Sequence, residues 1–424
     1  MRSWIRFGGR PALALALAVC LAGASPSEAR DADPGAALDE AIEAYRLIVE
    51  EGGWEPIPSG ATLDPGDRSP RVELLRRRLQ TSGHLSATAS DPGDPQLYDD
   101  ALEAAVREFQ RTHGLEVDAR VGPATLVQLN VSAARRLEQL IVNRERQRTF
   151  TDEPGDHYIF VNVPDFRVHV VDHGEESFRL RAIVGQPGRP TPIFAARMTY
   201  LVLSPYWHVP PGIAARDQFP RIQADLGHLE RERLVLLEQA TGRRVDPSSV
   251  QWSAMTGSEF NARFRLRQEP GAHNAMGHVK FMFPNRHNVY LHDTPNRELF
   301  NQARRALSSG CVRIERPLEL AEHLLSADPR WTRDRIDEVI ELGVERHVPL
   351  TTAYEVHIEY WTAFVDEAGT LHFREDIYNR DGPAFTALED GETIRTLAWR
   401  TGPDPLGPEG SCPVPAFGLP VGLG

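Results

Sequence analysis

The sequence predicts an α+β protein of two or three domains. A small helical module should come first, followed by a mostly antiparallel β domain that carries an inserted helical lid subdomain. Three observations predict this. Apolar residues recur at spacings of three and four between 69 and 132, whereas the period falls to about two from 157 onward. Turn signals at Pro164-Asp165 and His173-Gly174 join closely spaced strands, as hairpins do and helical crossovers do not. Charged helical sequence then interrupts the strand pattern over 212–266. Composition agrees: 41% of the 424 residues are hydrophobic and 25% charged, an ordinary globular mixture, while 33 Gly and 33 Pro argue against a simple bundle. A net charge of -13 removes most of the case for a nucleic-acid partner, whose phosphates would need a basic face.

The elements follow in order. Arg2, Arg6 and Arg10 precede an uncharged apolar run over 12–22, and Ala22-Gly23-Ala24 offers a small-x-small cleavage site. Residues 1–24 therefore read as a signal peptide, with Ser27-Glu28-Ala29 as an alternative cut. The run is shorter than the ~20 residues needed to span a bilayer. Cys20 lies inside it, but bulky Val19 stands where lipid attachment prefers a small residue. No other stretch approaches spanning length, so the expectation is an exported, periplasmic chain with no transmembrane segment. Residues 31–68 form an N-terminal scaffold segment with one helix over 38–51.

Within the module at 69–132, Val72, Leu75 and Leu79 predict a helix. Leu102, Val106 and Phe109 predict a second, closed by Gly114, and Gly122-Pro123 opens a third through Leu126 and Leu129. On these residues alone it is an anonymous three-helix spacer. A linker helix over 133–148, within a linker at 133–156, leads to the β domain at 157–354. Strands are expected at 158–163, 166–171, 178–184, 198–203, 279–283 and 288–292, and helices at 296–306, 317–325 and 332–342. A C-terminal extension at 355–401 should begin with a strand over 356–365, and the Gly/Pro-rich tail at 402–424 should lack order.

Once the signal is removed, only Cys311 and Cys412 remain. They could form a disulfide in an oxidising compartment, although Cys412 lies in the loose tail. The informative stretch runs Val289-Tyr290-Leu291-His292-Asp293-Thr294-Pro295 and, after the expected helix, Ser308-Ser309-Gly310-Cys311-Val312-Arg313. A thiol is a strong nucleophile only as thiolate, which a neighbouring imidazolium favours. A strand–helix–loop return can bring His292 and Cys311 together, and Ser309-Gly310 supplies a tight turn whose N–H groups could face an oxyanion. From spacing alone, a buried thiol and a satisfied core histidine would be the ordinary reading of such a pair. His273, His278, His287 and His292 crowd together, but histidines five apart on a strand face opposite sides, and no His-x-x-x-His or Cys-x-x-Cys exists. No metal or other cofactor is expected.

Two resemblances sharpen this. Arg71-Val72-Glu73-Leu74-Leu75-Arg76, Ala105-Val106-Arg107-Glu108-Phe109-Gln110-Arg111-Thr112-His113-Gly114-Leu115 and Asp118-Ala119-Arg120-Val121-Gly122-Pro123 resemble the type 1 peptidoglycan-binding domain. Ser309-Gly310-Cys311-Val312-Arg313 with His292-Asp293 resembles the signature of the YkuD-type L,D-transpeptidases. The flanks Asn274-Ala275-Met276-Gly277-His278-Val279-Lys280-Phe281 and Phe283-Pro284-Asn285 resemble the large Gram-negative subgroup with a capping insertion.

The resemblance implies Cys311 as nucleophile and His292 as general base, acting on peptidoglycan stem peptides and glycan, with carbapenem-type inhibitors acylating Cys311. The implied reaction expels the terminal D-Ala of a tetrapeptide donor, forms a thioester, and passes the acyl group to a second stem's amine. Alternatives are an L,D-carboxypeptidase or hydrolase that uses water, or a non-catalytic wall-binding scaffold. Many members of the family carry His before the motif's Gly and Asn two residues after its Cys; Ser309 and Arg313 stand there in this chain. Orientation of His292 would then fall to a backbone carbonyl or to Asp293. Gly310 and Ser309 would serve the oxyanion turn. Arg313, Lys280 and Tyr290 are candidates to bind substrate, with stem carboxylates on the two cations. Lys280 is the only lysine of the chain, and a solvated strand-edge lysine is the bland alternative. Trp207 should pack at the base of the insertion.

Overall fold

The computed structural model describes residues 35–86, 93–150 and 155–393. The expected signal peptide, Cys20, Cys412 and the expected tail lie outside them. The described residues divide into a helical unit, 35–150 with 361–393, and a sheet unit, 155–360.

In the helical unit, α1 is Asp39–Glu50, α2 Pro70–Thr81, α3 Asp100–Thr112, α4 Pro123–Leu129 and α5 Ala133–Arg148. The starts of α2 and α3 are set by Ser69 and Asp99, whose side chains accept the orphan N–H groups of Arg71 and Leu102. Val72, Leu75 and Leu79 of α2 pack on Leu102, Val106 and Phe109 of α3 and on Leu129 of α4. These are the residues whose periodicity predicted the helices.

Helix α5 is not a linker. Its Leu140 closes a second cluster with Leu38, Ala41, Ile42 and Tyr45 from the first segment and Ala363 and Phe373 from a hairpin, Ala363–Val365 with Leu371–Phe373. The expected scaffold segment, linker and C-terminal extension thus share one core. Each has an apolar face too small to bury alone, and periodicity reports such a face without naming its partner. A polar seam joins them: Gln139 donates to the carbonyls of Thr362 and Arg374, and Asn143 donates to the Thr362 hydroxyl. Asp381 accepts from that hydroxyl at 2.7 Å and from Arg146 at 2.6 Å.

The sheet unit holds β1 His157–Asn162, β2 Arg167–Asp172, β3 Glu175–Gly185, β4 Phe194–Leu203, β5 Trp207–His208, β6 Leu234–Glu238, β7 Phe264–Gln268, β8 Val279–Met282, β9 Leu291–His292, β10 Ala306–Ser308, β11 Val312–Ile314 and β12 Arg346–Glu359. Nine of them form one sheet in the order β10-β3-β11-β9-β8-β4-β12-β1-β2, closed by a further β3–β2 pairing. Most pairings are antiparallel; β1–β12, β3–β10 and β9–β11 are parallel. His173 and Gly174, both with positive φ, form the two-residue turn between β2 and β3 that the sequence signals.

Four expectations need correction. The strand expected over 356–365 is two: β12 starts at Arg346 and belongs to the large sheet, and Ala363–Val365 belongs to the helical unit's hairpin. The strand expected over 288–292 shrinks to β9, because Asn288 has a positive φ and the Asn285 amide ties a loop to the Phe283 and Val289 carbonyls. The helix expected over 296–306 is only a 3-10 turn, Arg297–Asn301, followed by β10. Buried Arg305 donates to the Ala182 and Phe166 carbonyls, drawing the segment onto the sheet. The insertion is mixed, not helical: short helices surround a three-stranded sheet, β5-β7-β6. Its cluster draws on residues between Trp207 and Leu266, among them Phe219, Ile222, Trp252, Phe260 and Leu266, so it carries its own core.

Asp381→Ala should leave the buried Arg146 guanidinium without its carboxylate and destabilise the helical unit by about 3–5 kcal/mol. Chemical denaturation followed by a probe in that unit checks this.

Candidate active site

His292 ends β9, between β8 and β11. Register sets Lys280 of β8 directly opposite it on one side and Arg313 of β11 on the other. Residues paired in register point to the same face, so Lys280, His292 and Arg313 form a row across three strands. Cys311 precedes β11 by one residue and Arg313 by two, and so alternates back to that face. Val312 N–H donates to the Tyr290 carbonyl at 3.1 Å, and the Tyr290 N–H is directed at the Cys311 sulfur. The thiol itself donates to the Asn288 carbonyl at 3.8 Å. Among the described residues, Cys311 is a free thiol, partly exposed.

His292 is 2% exposed, and its Nδ1 lies 2.5 Å from the Asp293 backbone carbonyl. A carbonyl only accepts, so Nδ1 carries the hydrogen and Nε2 keeps its lone pair. The backbone of Asp293 therefore orients the ring, not its carboxylate. That carboxylate accepts from the His278 N–H at 2.8 Å, the Thr294 N–H at 2.6 Å and Arg297 at 2.7 Å. It fixes the turn before β8, where Gly277 has φ +59 and a Cβ would lie 2.2 Å from the Asp293 Cγ.

Burial, then the Arg313 charge, push His292 down to about 3; the Asp293 carbonyl opposes them, and the Lys280 charge adds a lesser lowering. Burial pushes the Cys311 thiol up, while the Tyr290 N–H, Lys280 and Arg313 pull it back. The resting pair is thus neutral thiol and neutral imidazole, not a thiolate–imidazolium pair. The two cations keep the imidazole unprotonated and would stabilise charge on sulfur. Lys280 lies 3.8 Å from the centre of the Tyr290 ring. Arg313 has no carboxylate partner among the described residues, and its buried Nε lacks an acceptor.

The turn before Cys311 differs from expectation. Gly310 has φ +116, which only glycine adopts freely. Its N–H donates to the Ser308 hydroxyl at 3.1 Å and is not free to meet an oxyanion. The Ser309 hydroxyl accepts from Arg189 at 3.0 Å. The Cys311 N–H has no acceptor among the described residues and is the donor left to face a developing oxyanion. Sequence reasoning missed two residues. Thr191 donates to the Gly310 carbonyl and accepts from the Gly185 N–H, both at 2.8 Å. Arg189 reaches Ser309 and also Asp217 in the insertion. Both lie far from the motif in sequence, and neither carries a local signal.

Trp207 pairs with Gln268 across β5–β7 and packs against the insertion's apolar cluster, as expected. Among the described residues no group of three or more His, Cys, Asp or Glu side chains is placed to hold a metal ion, and no helix is long and apolar enough to cross a membrane.

Comparison with known proteins fits this geometry. Residues 156–337 match the YkuD L,D-transpeptidase catalytic domain, and residues 68–129 match the "Putative peptidoglycan binding domain" family. A Haemophilus influenzae protein described as a "Putative L,D-transpeptidase" is 33% identical over 244 residues, which cover 58% of this chain and 48% of that one. The chain thus spans about half the length of this curated relative. Looser likenesses, each at 12% identity, are to an L,D-transpeptidase (Yku) from Stackebrandtia nassauensis, TM-score 0.25 over 72% of this chain and 96% of that one, and to one from Mycobacterium smegmatis, TM-score 0.22 over 48% and 58%. Residues 156–337 are thus similar to the YkuD family of L,D-transpeptidase catalytic domains, and residues 68–129 to a peptidoglycan-binding domain family.

Proposed function

We propose that the protein is a periplasmic L,D-transpeptidase that cross-links peptidoglycan stems through a thioester on Cys311. The observation that carries this is the neutral His292, its Nδ1–H held by a carbonyl and its Nε2 open, on the same face as Cys311. Such an imidazole offers an unprotonated Nε2 to the thiol, and an anionic donor seated against Arg313 and Lys280 would offset the charges that hold its proton affinity down. The export pattern of residues 1–24 supports the location.

The reaction follows. As the Cys311 sulfur attacks the carbonyl of the donor's third residue, its proton passes to Nε2 of His292. Arg313 and Lys280 offset the negative charge on sulfur, and the Cys311 N–H meets the oxyanion. The C–N bond breaks, His292 returns the proton to the leaving amine, and D-Ala departs. The acceptor's side-chain amine then attacks the thioester, His292 takes its proton, and the thiol is restored as the new amide forms. Every step uses groups of the chain itself.

The substrate carries carboxylates, and Arg313 is a mostly buried cation that lacks one. We assign it, with Lys280, to the donor's carboxylate, and Tyr290 to the wall of the same subsite. The helical domain at 68–129 would hold the wall polymer. Carbapenems, strained acyl donors bearing a carboxylate, should acylate the same sulfur.

Incubation with purified stem tetrapeptides, with products weighed, tests the reading. Cross-linked dimer with free D-Ala is expected; tripeptide alone would point to water as acceptor, and no D-Ala release would leave the scaffold reading. Cys311→Ala should abolish release, and His292→Ala should slow it by about 10²–10⁴-fold. Because His292 protonates only near pH 3 and the thiol lies above its ordinary value, donor acylation should be flat from about pH 5 to about pH 8. An acid limb centred near pH 6.5, where a free imidazole titrates, would instead mark a thiolate–imidazolium pair. Arg313→Met should raise the donor KM by about tenfold or more, since a charge-assisted contact is lost, in steady-state D-Ala release.

A further inference from the structure

The insertion builds its own core and sends one charged side chain to the loop that presents the sulfur. Asp217 lies in the π-helical turn Ala214–Gln218, a rare element found mostly at functional positions. Its carboxylate meets the fork of Arg189 in two contacts, Nη1 to Oδ2 at 2.5 Å and Nη2 to Oδ1 at 2.6 Å. This planar bidentate geometry fixes orientation as well as distance. The same Nη1 donates to the Ser309 hydroxyl at 3.0 Å. Ser309 is two residues before Cys311.

The loop that carries Arg189 is itself wedged under that turn. A Cβ on Gly185 would lie 2.3 Å from the Arg189 carbonyl oxygen, and the Arg189–Thr191 backbone cannot retreat without losing the Thr191 hydroxyl bonds to Gly310 and Gly185. Thr191 is fully buried. The chain from insertion to sulfur is therefore continuous: Asp217, Arg189, Ser309, then the Gly310 turn.

We propose that Arg189 is a positioning residue. Anchored by Asp217, it holds Ser309 and so sets the direction in which Cys311 faces the bound donor, which makes the insertion a working part of the nucleophile's support and not only a cover. The proposal rests on the acyl-transfer reading above. It concerns the geometry of attack, so it acts on kcat more than on KM.

Single-turnover and steady-state D-Ala release from a stem tetrapeptide test it in the full-length protein. Asp217→Asn, nearly isosteric and on the insertion, should lower kcat by about tenfold while KM and the melting temperature stay near wild type. Arg189→Met and Ser309→Ala should do the same, and Arg189→Lys, which keeps the charge but not the fork, should recover only part of the loss. Because the three act through one chain, Asp217→Asn combined with Arg189→Met should cost no more than the worse of the two alone. Alkylation of Cys311 by iodoacetamide should keep its wild-type rate and pH midpoint in each variant. Variants within twofold of wild type, a loss confined to KM, or losses that multiply in the double variant would overturn the proposal. Failure of the wild type itself to release D-Ala would strike the acyl-transfer reading instead, so the two failures are distinct.

Discussion

The state of His292 governs the chemistry available here. A buried imidazole flanked in register by an ammonium and a guanidinium cannot readily take up a proton. That looks unhelpful for a site in which a thiolate is wanted, until the two cations are considered from the sulfur's side. The charges that deny His292 a resting proton also lower the cost of charge on Cys311. On the proposed mechanism the site stores no ion pair: one would form as the sulfur attacks and disappear as the amine leaves. A neutral resting thiol is also the less reactive form toward adventitious oxidants.

Such a row needs a rigid base. It comes from β9 being confined between two short neighbours and from turns packed too closely for any side chain but glycine. Gly277 lets the turn before β8 close on the Asp293 carboxylate, and Gly185 lets the Arg189–Thr191 segment lie against the end of β3. The first contact holds backbone against a side chain and the second backbone against backbone, which matters for a reaction in which small errors of position are costly. The orientation of His292 follows the same logic. Where relatives spend polar side chains on it, this chain uses the carbonyl next in sequence, leaving Ser309 and Arg313 for other work.

The sequence made the pieces legible and left most partners hidden. Helices α2 to α4 were readable because Leu75, Leu79, Val106 and Phe109 bury each other within one module. The strands of the large sheet were readable from alternation, and the pair Cys311 and His292 from a motif. What escaped depends on contacts distant in the chain. Leu140 buries itself against Leu38 and Phe373, so α5 looked like a linker while it is part of a core. The stretch 296–306 has helical spacing, but Arg305 finds better acceptors in the Ala182 and Phe166 carbonyls than a helix would give it. In the insertion, Leu234, Leu236, Phe264 and Leu266 alternate over runs too short to outweigh the helical charge pattern around them.

Charge distribution gives the last link between composition and site. The chain is acidic overall, and nearly all of its cations are arginines. Many of these are paired with carboxylates, as Arg189 is with Asp217, Arg146 with Asp381 and Arg181 with Glu315. Arg313 is held beside the Cys311 sulfur with its Nε buried and unmatched, as Arg78 and Arg136 have buried unmatched nitrogens in the helical unit. A buried cation without a counter-charge is destabilising in the empty protein, and a ligand that supplies the charge relieves that cost on binding. Binding energy is thereby concentrated next to the atom that reacts, at the point where an anionic stem would have to sit for its neighbouring carbonyl to meet Cys311. An acidic surface elsewhere would repel such a stem, which sharpens the preference for this one place.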